Sequence, residues 1–200
     1  MTVILGFVVI GSLITGFMLR ARPELAVFLA REYKSTFGPR SHGERNPSTS
    51  LKTISSAQAD FRANDRDWNR KNDFWRGDIA GLYTLIPNLP EGSPDRVAIK
   101  LIELSVAAAD DRPVTDISRY APRSAKGGYW YRAIRHADET TLDPDRFAAC
   151  AYPDSPSAGR YTFIIDENNT IFRRELGPQQ RGVEVFPNDE ELKQQWTKLD

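Results

Sequence analysis

The chain has 200 residues, 40% of them hydrophobic and 27% charged, which suits one folded domain with an appendage. Its 27 basic and 27 acidic side chains cancel, which excludes the basic excess of a nucleic-acid-binding protein. Cys150 is the single cysteine, so an intrachain disulfide and a CxxC pair for zinc or redox chemistry are both excluded.

Val3 to Leu19 reads VILGFVVIGSLITGFML and carries no charge. It lies near the lower limit of about 17 residues for crossing a bilayer. Gly6, Gly11, Ser12 and Gly16 form no polar face, which argues against a buried core helix. A cleaved signal peptide wants a basic start and a small-x-small cleavage site. Here Met1-Thr2 are uncharged and Arg20-Ala21-Arg22-Pro23 follows, so an uncleaved anchor contacting the lipid bilayer through residues 3–19 is expected. Residues 24–37, ELAVFLAREYKSTF, extend it as a helix with Leu25, Phe28 and Leu29 on one face. Residues 38–47 are rich in breakers and read as a linker.

The remaining segment, 48–200, reads as a globular domain. A helix is predicted from Ser48 to about Ala63, with Leu51, Ile54 and Phe61 at helical spacing. Ser93-Pro94-Asp95 has the signature of a second helix start, with Val97, Leu101, Leu104 and Ala108 lining one face. Four runs then read as strands: Tyr129–Ile134, Phe147–Tyr152, Tyr161–Ile165 and Thr170–Arg174. Asp166–Asn169 forms the turn between the last two. Asn188 is placed to cap a short terminal helix, with Glu191 three residues later. The expected fold class is α+β: an N-terminal transmembrane helix, then helices packed on one antiparallel β-meander.

This order resembles the type IV pilins and type II secretion pseudopilins, and pilin-like exported bacterial proteins. The run Ser50-Leu51-Lys52-Thr53-Ile54-Ser55-Ser56-Ala57-Gln58-Ala59-Asp60-Phe61 is similar to their Leu-x-x-Ile-x-x-Ala-Gln helix segment. The run from Gly159 through Gly177 resembles the closing hairpin of the exported proteins. The resemblance is confined to the globular part. Met1 leads directly into apolar residues and no glutamate interrupts Val3 to Leu19, so prepilin processing is not expected. It implies a single-pass inner-membrane protein with its globular domain facing the periplasm or outside. It also implies protein partners in a secretion or pilus-like assembly. The basic residues after the span, Arg20, Arg22, Arg31 and Lys34, point the other way by the positive-inside rule.

Asp65, Asp67, Asn69 and Asp73 fall at relative positions 1, 3, 5 and 9, the oxygen-ligand rhythm of a calcium loop. Arg70 stands at the sixth position, where the turn favours glycine, and Arg76 at the twelfth, where a glutamate belongs. The other reading is a polar loop in which Asp and Asn bond nearby backbone while Trp68, Phe74 and Trp75 fold onto the sheet. Catalytic signatures are absent: there is no GxSxG, HExxH, P-loop or GxGxxG. A Cys150–His136 pair is conceivable across neighbouring strands, but a core thiol and a surface imidazole are the ordinary outcome. Asp110-Asp111 and Asp143-x-Asp145 read as turn residues. Tyr129, Trp130, Tyr131, Tyr152 and Tyr161 offer an outward carbohydrate or peptide platform, unless alternation turns half of them into the core. The functional expectation is a membrane-anchored, non-enzymatic structural or interaction protein. The alternative is an envelope module that binds calcium, carbohydrate or peptide.

Overall fold

The computed structural model describes residues 45–139, 143–177 and 182–199. Its centre is a six-stranded sheet. The strands are β1 (Tyr129–His136), β2 (Ala148–Pro153), β3 (Thr162–Asp166), β4 (Ile171–Arg174), β5 (Val185–Phe186) and β6 (Thr197–Lys198), in the spatial order β5-β1-β2-β3-β4-β6. β1 through β4 form the meander that the apolar runs predict, and the β3–β4 turn closes through Asn169 N–H donating to the Asp166 carbonyl at 3.0 Å. Asn169 sits at φ 58°, a left-handed conformation that asparagine tolerates better than most residues.

Both faces of the sheet are covered. One buries Tyr129, Tyr131, Ala149, Ala151, Phe163 and Ile165, and the other buries Ile134, Ala148, Cys150, Tyr152 and Ile164. This is why β2 and β3 lack the in–out alternation of a sheet with one wet face. The aromatic platform is thereby resolved: Tyr129, Tyr131 and Tyr152 are buried and make no outward surface.

Helix α1 (Arg45–Ala63) lies over the first face against β2 and β3. Leu51, Ile54, Ala57, Gln58 and Phe61 recur at helical spacing and are all buried. Gln58 spans two elements. Its Oε1 accepts from Trp75 N–H at 2.9 Å, and its Nε2 donates to the Trp75 carbonyl at 2.8 Å. A 3-10 turn (Ala80–Tyr83) and helix α2 (Leu104–Ala108) complete that layer. Gly81 lies beneath the Trp75 ring, where a Cβ would approach Cζ2 to 2.3 Å. Helix α3 (Asp189–Gln195) covers the other face with Leu192, and the Asn188 side chain accepts from Glu191 N–H at 2.9 Å as the cap signature predicts.

The expected fold class is corrected in three respects. The sheet is mixed, because β5 returns parallel to β1 through the Arg135–Val185 and His136–Phe186 pairs. β5 and β6 have two residues each, too few to carry a periodic signal. The helix expected from Ser93 forms only in its last turn, α2 (Leu104–Ala108), and not over residues 93–103. Turn hydrogen bonds and a single bridge between Leu85 and Ile99 occupy that stretch, and Val97 is 63% exposed. Leu101 and Ile102 pack against the core without a helix, because Ile99 and Leu101 N–H donate to the Leu85 and Leu82 carbonyls at 2.7 and 2.8 Å and Gly92 takes φ 84°. Finally, among the described residues no helix is long and apolar enough to cross a membrane. The segments 3–19 and 24–37 lie outside the described residues, and the single-pass inner-membrane placement of a pilin-like body is withdrawn with the pilin-like plan itself.

Candidate binding cleft

The structure does bring Asp65, Asp67, Asn69 and Asp73 together, but around an amide. Asn69 N–H donates to Asp65 Oδ1 at 3.0 Å and to Asp67 Oδ1 at 3.3 Å. Its Nδ2 donates to Asp67 Oδ2 at 2.9 Å and to Asp73 Oδ1 at 3.4 Å. Arg70 N–H takes Asp65 Oδ2 at 3.0 Å. Burial, followed by the neighbouring Asp65 and Asp73, moves the Asp67 carboxyl above its usual value. The calcium reading of this loop finds no support among the described residues. The oxygens that would converge on a cation are turned onto N–H donors of the loop itself. Among the described residues no group of three or more His, Cys, Asp or Glu is arranged to hold a metal ion. Asp65, Trp68 and Arg70 take positive φ of 44°, 57° and 67°, so the loop makes its tight turn without glycine.

Two buried acids, Asp110 and Asp78, organise the backbone. Asp110 Oδ2 accepts from Ile79 and Ala80 N–H at 2.7 and 2.9 Å, and its Oδ1 accepts from Arg112 N–H at 2.9 Å. Asp78 Oδ1 accepts from Gly81 N–H at 2.8 Å, and its Oδ2 accepts from Val114 and Thr115 N–H at 2.7 and 2.6 Å. Burial is the largest influence on Asp110 and pushes its carboxyl up to about 6 against the pull of those donors. Asp111 instead pairs with the buried Arg132 guanidinium and accepts from the Tyr152 hydroxyl.

Cys150 is fully buried, and burial pushes its thiol up to about 12. His136 does not meet it. The imidazole, 3% exposed, stands at the end of β1 and is held on both sides. Arg146 Nη2 donates to Nδ1 at 2.7 Å, so Nδ1 carries a lone pair. Nε2–H then faces Glu167 Oε2 at 3.1 Å and the Phe147 carbonyl at 3.2 Å. All these contacts are met by the neutral ring. Burial disfavours a charge on it, but Glu167 and the Phe147 carbonyl together lift the ring above its ordinary value. Protonation at Nδ1 therefore requires Arg146 to move away. A buried Arg76–Glu139 pair at 2.9 Å fixes the same corner, and Glu139 Oε2 also accepts from His136 N–H at 2.9 Å.

Beside His136 opens a cleft of about 810 Å³. The β3–β4 turn, Asp166 to Thr170, forms one wall, and Asn188 to Glu190 at the start of α3 forms the other. Phe172, Phe186 and Leu192 give it an apolar floor, with the His136 and Phe186 rings 5.0 Å apart. Asp166 lines it while only 8% exposed. Its Oδ2 accepts from Asn168 Nδ2 at 2.9 Å, and its Oδ1 is buried with no hydrogen-bond partner. Glu167 lines this cleft and also a second hollow of about 440 Å³ beside Phe74 and Phe147. Sequence reasoning took Asp166 only as a turn residue. The available signal was its parity: at two residues past Ile164 it must share the face on which Ile164 is buried.

No family model matches the chain, and no curated protein sequence is significantly similar to it.

Proposed function

We propose that this domain is a non-enzymatic ligand-binding module and that the cleft between the β3–β4 turn and the start of α3 is its site. The observation that carries this reading is the Asp166 carboxylate, which lines the cleft with one buried oxygen unpaired. Buried polar atoms are nearly always satisfied in folded proteins, and an unmet one costs about 1–3 kcal/mol. A cost of that kind retained at the wall of a cavity is expected where a ligand supplies the missing partner. The cleft volume falls within the range of small-molecule sites, and Phe172, Phe186 and Leu192 give it an apolar patch among mainly polar walls.

The same geometry supports binding over catalysis. Both His136 ring nitrogens are taken by protein groups, Glu167 is engaged with His136, and the single thiol is sealed in the core. The test is a titration of ¹⁵N-labelled protein with a panel of small polar and aromatic ligands. Amide shifts should concentrate at Asp166–Thr170 and Asn188–Leu192. Saturable shifts confined to another surface, or turnover of a panel member at the cleft, would refute the proposal.

A further inference from the structure

We infer that the ligand of this cleft is an organic cation, an ammonium or guanidinium group carried on an apolar stem; the inference rests on the cleft being the binding site. An ionised carboxylate oxygen can only accept hydrogen bonds, so the partner that Asp166 Oδ1 lacks is a donor. The charge around it selects which kind. Asp138, Asp166, Glu167, Asp189 and Glu190 line the cleft against Arg146 and Lys198. Arg146 is already committed to Asp138 at 2.8 Å and to His136 Nδ1. The surplus is therefore negative, and it lies in a concave site where charges are screened less than in bulk water.

The floor selects the rest of the molecule. Phe172 and Phe186, with ring centroids 6.3 Å apart, and Leu192 offer an apolar bed in the same cleft as the acidic residues. A hydrophobic stem laid on that bed places its cationic end toward Asp166. Because Oδ1 is itself buried, the carboxylate must rotate to meet the ligand, and the terminal torsion of aspartate is broad enough to allow this. A metal ion is a poorer fit for the same charge, since no group of three or more His, Cys, Asp or Glu among the described residues is arranged to hold one.

The experiment compares three probes with one skeleton and different heads: phenethylammonium, phenethyl alcohol and 3-phenylpropionate. Each is titrated into the full-length protein by calorimetry and ¹⁵N NMR, with Asp166→Asn as the variant. Phenethylammonium should bind at least ten-fold tighter than the alcohol, weaken with added salt, and lose at least ten-fold in the variant. The dipeptide amide acetyl-Phe-Lys-NH₂ is run beside it. Tighter binding of the dipeptide assigns the cation to a peptide side chain, and equal or weaker binding assigns it to a free amine; both sustain the inference. If the variant does not fold, Asp189→Asn with Glu190→Gln on the exposed wall must still weaken phenethylammonium selectively. Binding of the alcohol or the propionate in the cleft, at equal or greater strength than the amine, overturns the cation and leaves the binding site standing. If no probe shifts the cleft residues, site and cation are both overturned.

Discussion

Asp110 carries a carboxylate deep inside a domain with no obvious need for one, and its three backbone donors give the reason. The chain turns sharply at Asp78–Ala80, and the N–H groups of Ile79 and Ala80 point inward, where no strand or helix can meet them. A buried acid satisfies both with one oxygen and Arg112 N–H with the other. Burial nevertheless favours the protonated acid and raises it from 3.8 to about 6. The folded state then binds the proton more tightly than the unfolded chain, so this group's contribution falls as pH rises from about 4 to about 6. Asp110→Asn cannot ionise. Its destabilisation should therefore be largest near pH 4 and shrink by up to about 3 kcal/mol by pH 7. Denaturant titrations of both proteins across that range measure the gap. A gap that stays constant would mean that the three donors hold the charged form after all.

At the scale of the element, α1 shows how one polar side chain joins a helix to an irregular strip. Leu51, Ile54 and Phe61 supply the burial, but they do not specify what lies beside the helix. Gln58 does. Its amide meets both backbone groups of Trp75 as a neighbouring strand would, in a place where no strand runs. Trp75 in turn donates from Nε1 to the Asp78 carbonyl at 2.8 Å and covers Gly81, so the tie continues to the 3-10 turn. Gln58→Ala keeps the helix propensity and leaves two part-buried backbone groups of Trp75 without their partner. It should destabilise the protein by about 2–3 kcal/mol in chemical denaturation. Glutamate at the same position keeps the acceptor for Trp75 N–H and loses the donor, so its cost should be smaller at acid pH than at neutral pH. Equal stability of Gln58→Ala and the wild type would show that water replaces the amide.

For the molecule as a whole, the consequence of covering both sheet faces is a core in which the central strands have no wet side. Cys150 lies at its middle, opposite Arg132 in the β1–β2 register and Ile164 in the β2–β3 register. Its thiol is reachable only when the sheet opens, and its raised proton affinity slows reaction further. Native protein should therefore resist a thiol reagent over hours at neutral pH and react stoichiometrically in denaturant. The slow native rate should track stability when destabilising variants such as Gln58→Ala are compared. Rapid labelling of the folded wild type would mean that α3 and the Val183–Phe186 segment leave that face readily.

What the sequence by itself determined about this protein is its local content. The four principal strands, the β3–β4 turn, the helix through Leu51 and Phe61, and the Asn188 cap all follow from propensity, spacing and capping within a few residues. The Asp65–Asp73 cluster was legible as a cluster, because oxygens at alternate positions of a tight loop must converge. Whether they converge on a cation or on the Asn69 amide depended on backbone dihedrals that residue types leave open. Only the tertiary structure decided the rest. A two-residue strand has no period, so the parallel β5 exists because its position beside β1 fills an edge, and not because Val185-Phe186 prefers it. The helix signature at Ser93 was realised only in its last turn, α2, because Ile99 and Leu101 spend their N–H groups on the Leu85 and Leu82 carbonyls, a tertiary pairing that residue spacing does not reveal. The cleft is the furthest removed from sequence. His136, Arg146, Asp166, Phe186 and Glu190 meet there only once the sheet has brought their strands together, and an unpaired oxygen is a property of neighbours, which no single residue carries.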